Sequence, residues 1–541
     1  MSFGVAASRQ SAANLLCVLW LAAAGLSAIA AAPDIDSISP LGIRPGAPTE
    51  IVLTGSDLAE SDQLWTSFPA SVERVGERHF RITADAAVGT GVLRTYGSNG
   101  VSNPAFILMD DLATIAGAKT NNTLASAHSI TFGSAVDGIC PELNYAWFKV
   151  ALKKGQRISL EVVASRIGSK LDSVLRVVNA AGRELARNDD APGLSGDSYV
   201  SLTAPESGDY FVELRDVNYG GGTSFFYRLR VGDFPLVTAA FPAMAGQGST
   251  TLFQLAGPGG EAGRMKAKAL TNSSVVRLAI KGHEGSAFAR AIPRLTKEIV
   301  EKEPNDTRAN LFSIADGING RFDKAQDRDL YEFASRKGER VEFRAATRSL
   351  GSACDAMLTL ESVDGKRLGR SNPSMADEGV LAYSFPSNGT YRLVVEEAAG
   401  AFGPHLVYHI AAEQGGLALS LETEHVSAPP GKTFDLKVIA GRGEFKGAIT
   451  LAVDGPAGPL AITNNVIAEG KSNVTVKVMV PESLAPGTLH ELTVSGSAKR
   501  DGKEVHARAS TAPAWRRPLP LMLYPPPEFE GVLVLGVTTA K

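Results

Sequence analysis

Cysteine is scarce, three in 541 residues, so the dense disulfide framework that staples small secreted domains is excluded. The eight histidines are scattered, and neither CxxC nor HExxH occurs, which removes the common zinc and metalloprotease ligand spacings. GxSxG, the P-loop and GxGxxG are also missing. With them go the most legible signs of nucleophilic catalysis and nucleotide binding, and no enzyme is expected. Neither sign of charge dominates: 54 Lys and Arg stand against 57 Asp and Glu, without a run of five like charges. A nucleic-acid partner would need a basic stripe to neutralise phosphates, so none is expected. Aromatics reach only 7%, whereas Gly (55) and Pro (29) are plentiful, a composition suited to many turns between short elements.

One long apolar run is present. Residues 1–32 carry a single basic residue, Arg9, followed by an apolar stretch from Leu15 to Ala32. Ala28-Ile29-Ala30 places small residues where a signal peptidase needs them, so 1–30 is expected to be a cleaved export signal. A retained anchor is the rival reading, because the stretch approaches the length of a bilayer span. No later run is long enough, and no transmembrane span is expected after cleavage. The remaining cysteines, Cys140 and Cys354, are far apart in the chain and are expected as buried thiols.

The chain repeats itself at an offset of 183 residues. Lys154-Gly155-Gln156-Arg157 falls on Lys337-Gly338-Glu339-Arg340. Gly168, Asp172, Leu175, Gly182 and Arg187 fall on Gly351, Asp355, Leu358, Gly365 and Arg370, and Gly208-Asp209-Tyr210 meets Gly389-Thr390-Tyr391 after a short slip. Within each copy, alternating runs such as Arg157–Val163 and Arg340–Ala345, bounded by Gly-containing turns, read as strands of an antiparallel sandwich.

These repeated motifs, with Glu303-Pro304-Asn305-Asp306-Thr307 and Asp327-Arg328-Asp329-Leu330-Tyr331-Glu332-Phe333 ahead of the second copy's core, resemble the bacterial pre-peptidase C-terminal domain. Pro33 to Pro40, Gly46 and Leu53-Thr54-Gly55-Ser56-Asp57-Leu58 resemble the opening of an IPT/TIG immunoglobulin-like domain. The expected fold class is all-β, a string of β-sandwich domains, immunoglobulin-like and jelly-roll-like, behind a signal peptide. The expected layout is an immunoglobulin-like domain at 33–110 and a first pre-peptidase-like sandwich at 113–232. A small immunoglobulin-like segment follows at 233–298, the second pre-peptidase-like sandwich at 299–413 and a further sandwich at 414–512. Residues 513–541 read as a Pro-rich linker with an added strand.

Hard oxygens concentrate in one place. Glu301, Glu303, Asn305 and Asp306 lie within six residues, and calcium wants six to eight such donors on a tight loop. The segment resembles the calcium-binding linker of the collagen-binding domain in clostridial collagenases. That resemblance implies that acids just before the first core strand complete the shell; the matching residues are Asp323 and Asp327, with Asp329 an alternative. The competing reading is a solvated acidic linker whose Asn and Asp cap a turn. The first copy serves as an internal control, since Ala118-Lys119-Thr120-Asn121-Asn122-Thr123 offers no carboxylate, Asn144 replaces Asp327 and Cys140 replaces Asp323.

The expected function is that of an exported, non-catalytic binding or adhesion protein, secreted, periplasmic or on the cell surface. It would contact an extracellular polysaccharide or protein, with calcium ordering a linker. The alternatives are a secreted, peptidase-associated hydrolase with an unrecognised catalytic region, or a structural component of the cell envelope.

Overall fold

A computed structural model describes residues 31–271, 273–373, 378–414, 417–442, 445–500, 502–522, 524–526 and 529–539. The expected export signal, residues 1–30, lies outside them. The described chain is all-β. Its strands follow the two-residue side-chain period: in Thr433–Gly441, Phe434, Leu436, Val438 and Ala440 are buried, whereas Thr433, Asp435 and Lys437 face solvent. Among the described residues no helix is long and apolar enough to cross a membrane.

Residues 34–109 form two facing sheets around Ile51, Leu53, Phe80, Ile82 and Ile107. A ten-stranded unit follows. One of its sheets runs in the order Ala113–Ala116, Ser134–Ile139, Phe226–Gly232, Arg157–Val163, Tyr199–Thr203. The other runs His128–Ser129, Ala146–Leu152, Gly208–Asp216, Ser173–Asn179, Glu184–Asn188. After a small sandwich of two three-stranded sheets, this order recurs. Glu298–Val300, Gly317–Arg321, Val407–Gln414, Arg340–Ala346 and Val380–Ser384 face Asn310–Leu311, Arg328–Ser335, Gly389–Glu397, Ala356–Ser362 and Arg367–Arg370. In both units the first strand of each sheet pairs in parallel and the next pairing is antiparallel. Asp364-Gly365 turns the hairpin between Ala356–Ser362 and Arg367–Arg370: Gly365 has φ +84°, a left-handed conformation that glycine adopts without a Cβ clash. Cys140 and Cys354 are free and fully buried, one in each unit.

The last sandwich extends beyond the boundary at 512. Leu533–Val537 lies between His425–Ala428 and Leu489–Arg500, with every residue buried. It is an internal strand, not an appendage, because its apolar run has no polar face to turn to solvent. Chain truncation after Gly531 is expected to strip this core, and limited proteolysis would show 417–531 digested while the earlier sandwiches resist. Ahead of that strand, the short helix Ala512–Arg516 buries Trp515 against Phe106, ring centroids 5.8 Å apart, and stacks it on Phe529 at 5.3 Å.

The sandwiches are joined by buried charge. Arg228 and Arg230, both 0% exposed, project from the last strand of the first ten-stranded unit. Arg228 donates to Asp110 at 2.8 Å and Asp137 at 2.7 Å, and Arg230 to Asp110 at 3.1 Å, Glu161 at 2.5 Å and the Ser286 carbonyl at 2.6 Å. Three successive sandwiches therefore share one ionic junction. The second unit places His409 at the equivalent point, bonded to Glu298 at 2.8 Å. His405 precedes the strand Val407–Gln414, and His409 is 2% exposed.

Candidate metal centre

Parallel pairing of Glu298–Val300 with Gly317–Arg321 carries the chain past the end of the second unit's sandwich. Glu301 is then held by two backbone bonds: its amide donates to the Asn319 carbonyl at 3.0 Å, and its Oε1 accepts from the Arg321 amide at 2.8 Å. The Asn310 side chain clamps Lys302 N and O at 3.0 and 3.2 Å, closing the loop that presents Glu303, Asn305 and Asp306. From the opposite side, a turn at residues 323–327 is tied by the Asp323 amide donating to Asp327 Oδ2 at 2.6 Å. It leads into Arg328–Ser335, whose alternation sends Asp329 and Tyr331 inward.

These elements bring carboxylate oxygens of Glu301, Glu303 and Asp329 within 4.8 Å of one another, and those of Glu303, Asp306 and Asp327 likewise. Glu303 is common to both groups. The tyrosines beneath donate to them: Tyr408 Oη lies 2.5 Å from Asp329 Oδ2, Tyr331 Oη lies 3.2 Å from Glu301 Oε2, and the two hydroxyls are 2.8 Å apart. Against five carboxylates stands one ammonium, Lys324, paired with Asp306 and 3.6 Å from Asp327 Oδ1. Burial, then repulsion from Asp329, pushes Glu301 up to about 9. Burial likewise pushes Asp329 up to about 8, against the hydrogen bond from Tyr408. Glu303 is raised too, mainly by burial, whereas the Lys324 hydrogen bond holds Asp306 below its ordinary value.

Buried polar atoms in this loop lack partners. Asn305 is 0% exposed, and although its amide lies close enough to Asp329 to favour the charged carboxylate, neither amide atom completes a hydrogen bond. Oδ1 of Asp327 and Oδ1 of Asp329 are orphaned as well. Hard oxygens clustered, buried and short of donors match the needs of a divalent cation, which supplies the missing positive charge.

The structure thus gathers Glu301, Glu303, Asn305, Asp306 and Asp327, together with Asp329. Asp323 turns away: its Oδ1 lies 2.7 Å from Arg321 Nε, and it contributes only its backbone amide to the turn. Tyr331 and Tyr408 were not anticipated. A signal existed at the repeat offset, where Tyr331 meets Phe148 and the hydroxyl occurs only in the acid-rich copy. In the first unit the buried asparagine is Asn121, whose amide nitrogen donates to the Trp147 carbonyl at 2.9 Å. Trp147 and Phe148 are themselves 7% and 0% exposed, core residues of that unit.

Gly320 lets the Tyr408 ring lie against the neighbouring backbone, since a Cβ there would stand 2.1 Å from Cζ. Gly320→Ala is expected to push the hydroxyl off Asp329 and cost ~1–3 kcal/mol, read as a lower melting temperature.

Residues 144–216, within the first ten-stranded unit, match the bacterial pre-peptidase C-terminal domain. A stretch of 109 residues is 35% identical to a probable subtilase-type serine protease of Deinococcus radiodurans, covering 18% of this chain and 14% of that protein. The chain therefore matches a small part of that relative's length. Among solved structures, the M60 catalytic domain with CBM51-1 and CBM51-2 from Clostridium perfringens ZmpB aligns at 9% identity and a TM-score of 0.16, over 70% of this chain and 45% of that one. A DUF4785 family protein of Legionella pneumophila aligns at 11% and 0.14, over 36% and 58%.

Proposed function

We propose that this is an exported, non-catalytic binding protein in which the second ten-stranded unit is a further pre-peptidase-like domain that holds calcium. The 34–109 sandwich is an IPT/TIG-like module in this reading, and the partner is an extracellular polysaccharide or protein. The observation that carries the metal is Asn305, fully buried with both amide atoms unpartnered, beside carboxylates whose charge a single lysine cannot balance. Glu301, Glu303, Asp306, Asp327 and Asp329 would supply oxygens, with Asn305 Oδ1 among them. Calcium accepts many oxygens in irregular geometry, whereas magnesium demands a near-ideal octahedron, so calcium is the better fit to two groups that share Glu303.

Ion binding would fix the 301–306 loop to the turn at 323–327 and stiffen the approach from the small sandwich. That approach is already guided by Met244 N donating to Asn319 Oδ1 at 2.8 Å and Arg321 Nη1 to Gln254 Oε1 at 2.7 Å. The identical strand order of the two units supports the second pre-peptidase-like assignment, and the likeness to part of a probable protease supports a secreted, peptidase-associated setting. The test is calorimetric titration of calcium into chelator-treated mature chain, with magnesium as comparison. Saturable heat lost in Asp327→Asn is expected; no heat at millimolar calcium would remove the site.

A further inference from the structure

A cavity of about 570 Å3 opens between the 34–109 sandwich and the first ten-stranded unit, a size and a position typical of ligand sites. The outermost strand of a sheet flanks it on each side. Asp34–Ser39 pairs only with Thr49–Ser56, and Ala113–Ala116 only with Ser134–Ile139. Beside the cavity the two units are pinned together, the Leu41 amide donating to Asp137 Oδ2 at 2.8 Å. A strand at a sheet edge presents unpaired N–H and C=O groups, a template for a further strand.

Register identifies the peptide groups that face the opening. The Leu53 amide donates to the Arg78 carbonyl at 2.9 Å, away from Ile38, which lies opposite it in the antiparallel pair. Such opposed residues do not bond each other, so the N–H and C=O of Ile38 point outward from the sheet edge, at a residue that lines the cavity. On the other wall the Gly117 amide donates to the Asp137 carbonyl at 2.8 Å. By alternation the N–H and C=O of Ala116, another lining residue, turn away from that ladder. Neither residue has a further backbone partner among the described residues. One outward position on the first edge is already filled: Ile35 N donates to Asn103 Oδ1 at 2.7 Å, and Asn103 Nδ2 donates to the Ile35 carbonyl at 3.0 Å. A side-chain carboxamide thus bonds Ile35 as a peptide group of an added strand would, and Ile38 is left open. Asp36 on one wall and Lys119 on the other are exposed and form no ion pair among the described residues. A chain bearing both signs of charge complements them, whereas a polyanionic glycan would meet Asp36.

We propose that this cleft takes an extended segment of a partner polypeptide as an added β-strand, hydrogen-bonded to the free peptide groups of Ile38 and Ala116. Main-chain bonds supply the affinity in this mode, and side-chain pockets the selectivity. The proposal rests on the binding role stated above, and gives it a protein partner and a place distant from the cation site.

Three fluorescein-labelled nonapeptides, alternating threonine with valine, leucine or tyrosine between a terminal lysine and a terminal glutamate, test this by anisotropy titration with the mature chain. Saturable binding of at least one is expected, about tenfold weaker once its alternate amides are N-methylated, because the methyl groups remove the ladder donors. Ala116→Pro deletes one outward N–H without touching the bonds to Ser134–Ile139, and Ala118→Trp fills the cleft from an exposed position on the same wall. Both variants should weaken binding by a similar factor and melt as wild type. No saturable binding by any of the three peptides, or unchanged affinity in both folded variants, overturns the proposal. So do N-methylated peptides that bind as tightly as their parents, which would mean apolar filling, and displacement of the peptides by cellotetraose, which would mean a glycan site. Mass spectrometry of the incubated peptides keeps this apart from the reading beneath it: cleavage products would sink the non-catalytic role, whereas absent binding sinks only the cleft.

Discussion

In chelated buffer the melting transition of the second ten-stranded unit should fall as pH rises from about 5 to 9, and calcium should restore it. Glu301 and Asp329 have folded-state values pushed up to about 9 and about 8, far above those of an unfolded chain. Between those limits the folded unit binds more protons than the unfolded one, so stability is full below the ordinary carboxylate range and is lost as pH climbs through the folded values. The loss is on the order of a few kcal/mol. Calcium held as proposed would engage the ionised form and at 100 times its Kd would contribute about 2.7 kcal/mol, so the calcium-induced shift in melting temperature should be larger at pH 8 than at pH 5. Asp329→Asn separates the causes. It removes a buried like charge, so the chelated variant should melt higher than wild type at pH 8, and it should respond little to calcium. Differential scanning calorimetry across pH, with and without calcium, reads both. A chelated wild type whose transition is flat or rises with pH would refute the electrostatic account.

Much of the fold was legible because a repeat states itself twice. The glycines at 168 and 351 and the Gly182 and Gly365 turns occupy positions where the chain needs φ near +80°, so their recurrence at one offset reported backbone geometry directly. The acid-rich loop was legible for a related reason: the first copy lacks its carboxylates, and a difference between otherwise matching segments marks added chemistry. What stayed hidden depends on contacts far apart in sequence. Asp329 and Asp323 look alike in the chain, and only strand alternation with the position of Arg321 turns one inward and the other out. Tyr408 reaches Asp329 across 79 residues. Arg228 and Arg230 look like ordinary polar positions on an alternating strand, and nothing local announces that Asp110, from the preceding sandwich, meets both.

Asp110, at the centre of that junction, carries the opposite pH dependence. Burial alone would raise Asp110, but Arg230 and Arg228 outweigh it and hold the carboxyl below its ordinary value. A depressed carboxylate contributes stability that is present above the unfolded value and lost as pH falls through the folded one. Asp110 therefore favours the folded junction from neutral down through mildly acidic conditions, whereas burial holds the neighbouring Asp137 above its ordinary value despite Arg228. Asp110→Ala leaves two fully buried guanidiniums sharing Asp137 and Glu161, and breaking a buried pair in this way costs ~3–5 kcal/mol. Because Asp110 links the first sandwich to the unit that follows and Arg230 links that unit to Ser286, the loss should appear as uncoupling. The variant is expected to show an earlier, separate melting transition and faster proteolysis near residue 110, with the calcium response of the second unit retained. A single unshifted transition would mean that the three sandwiches do not depend on this ion cluster for their cohesion.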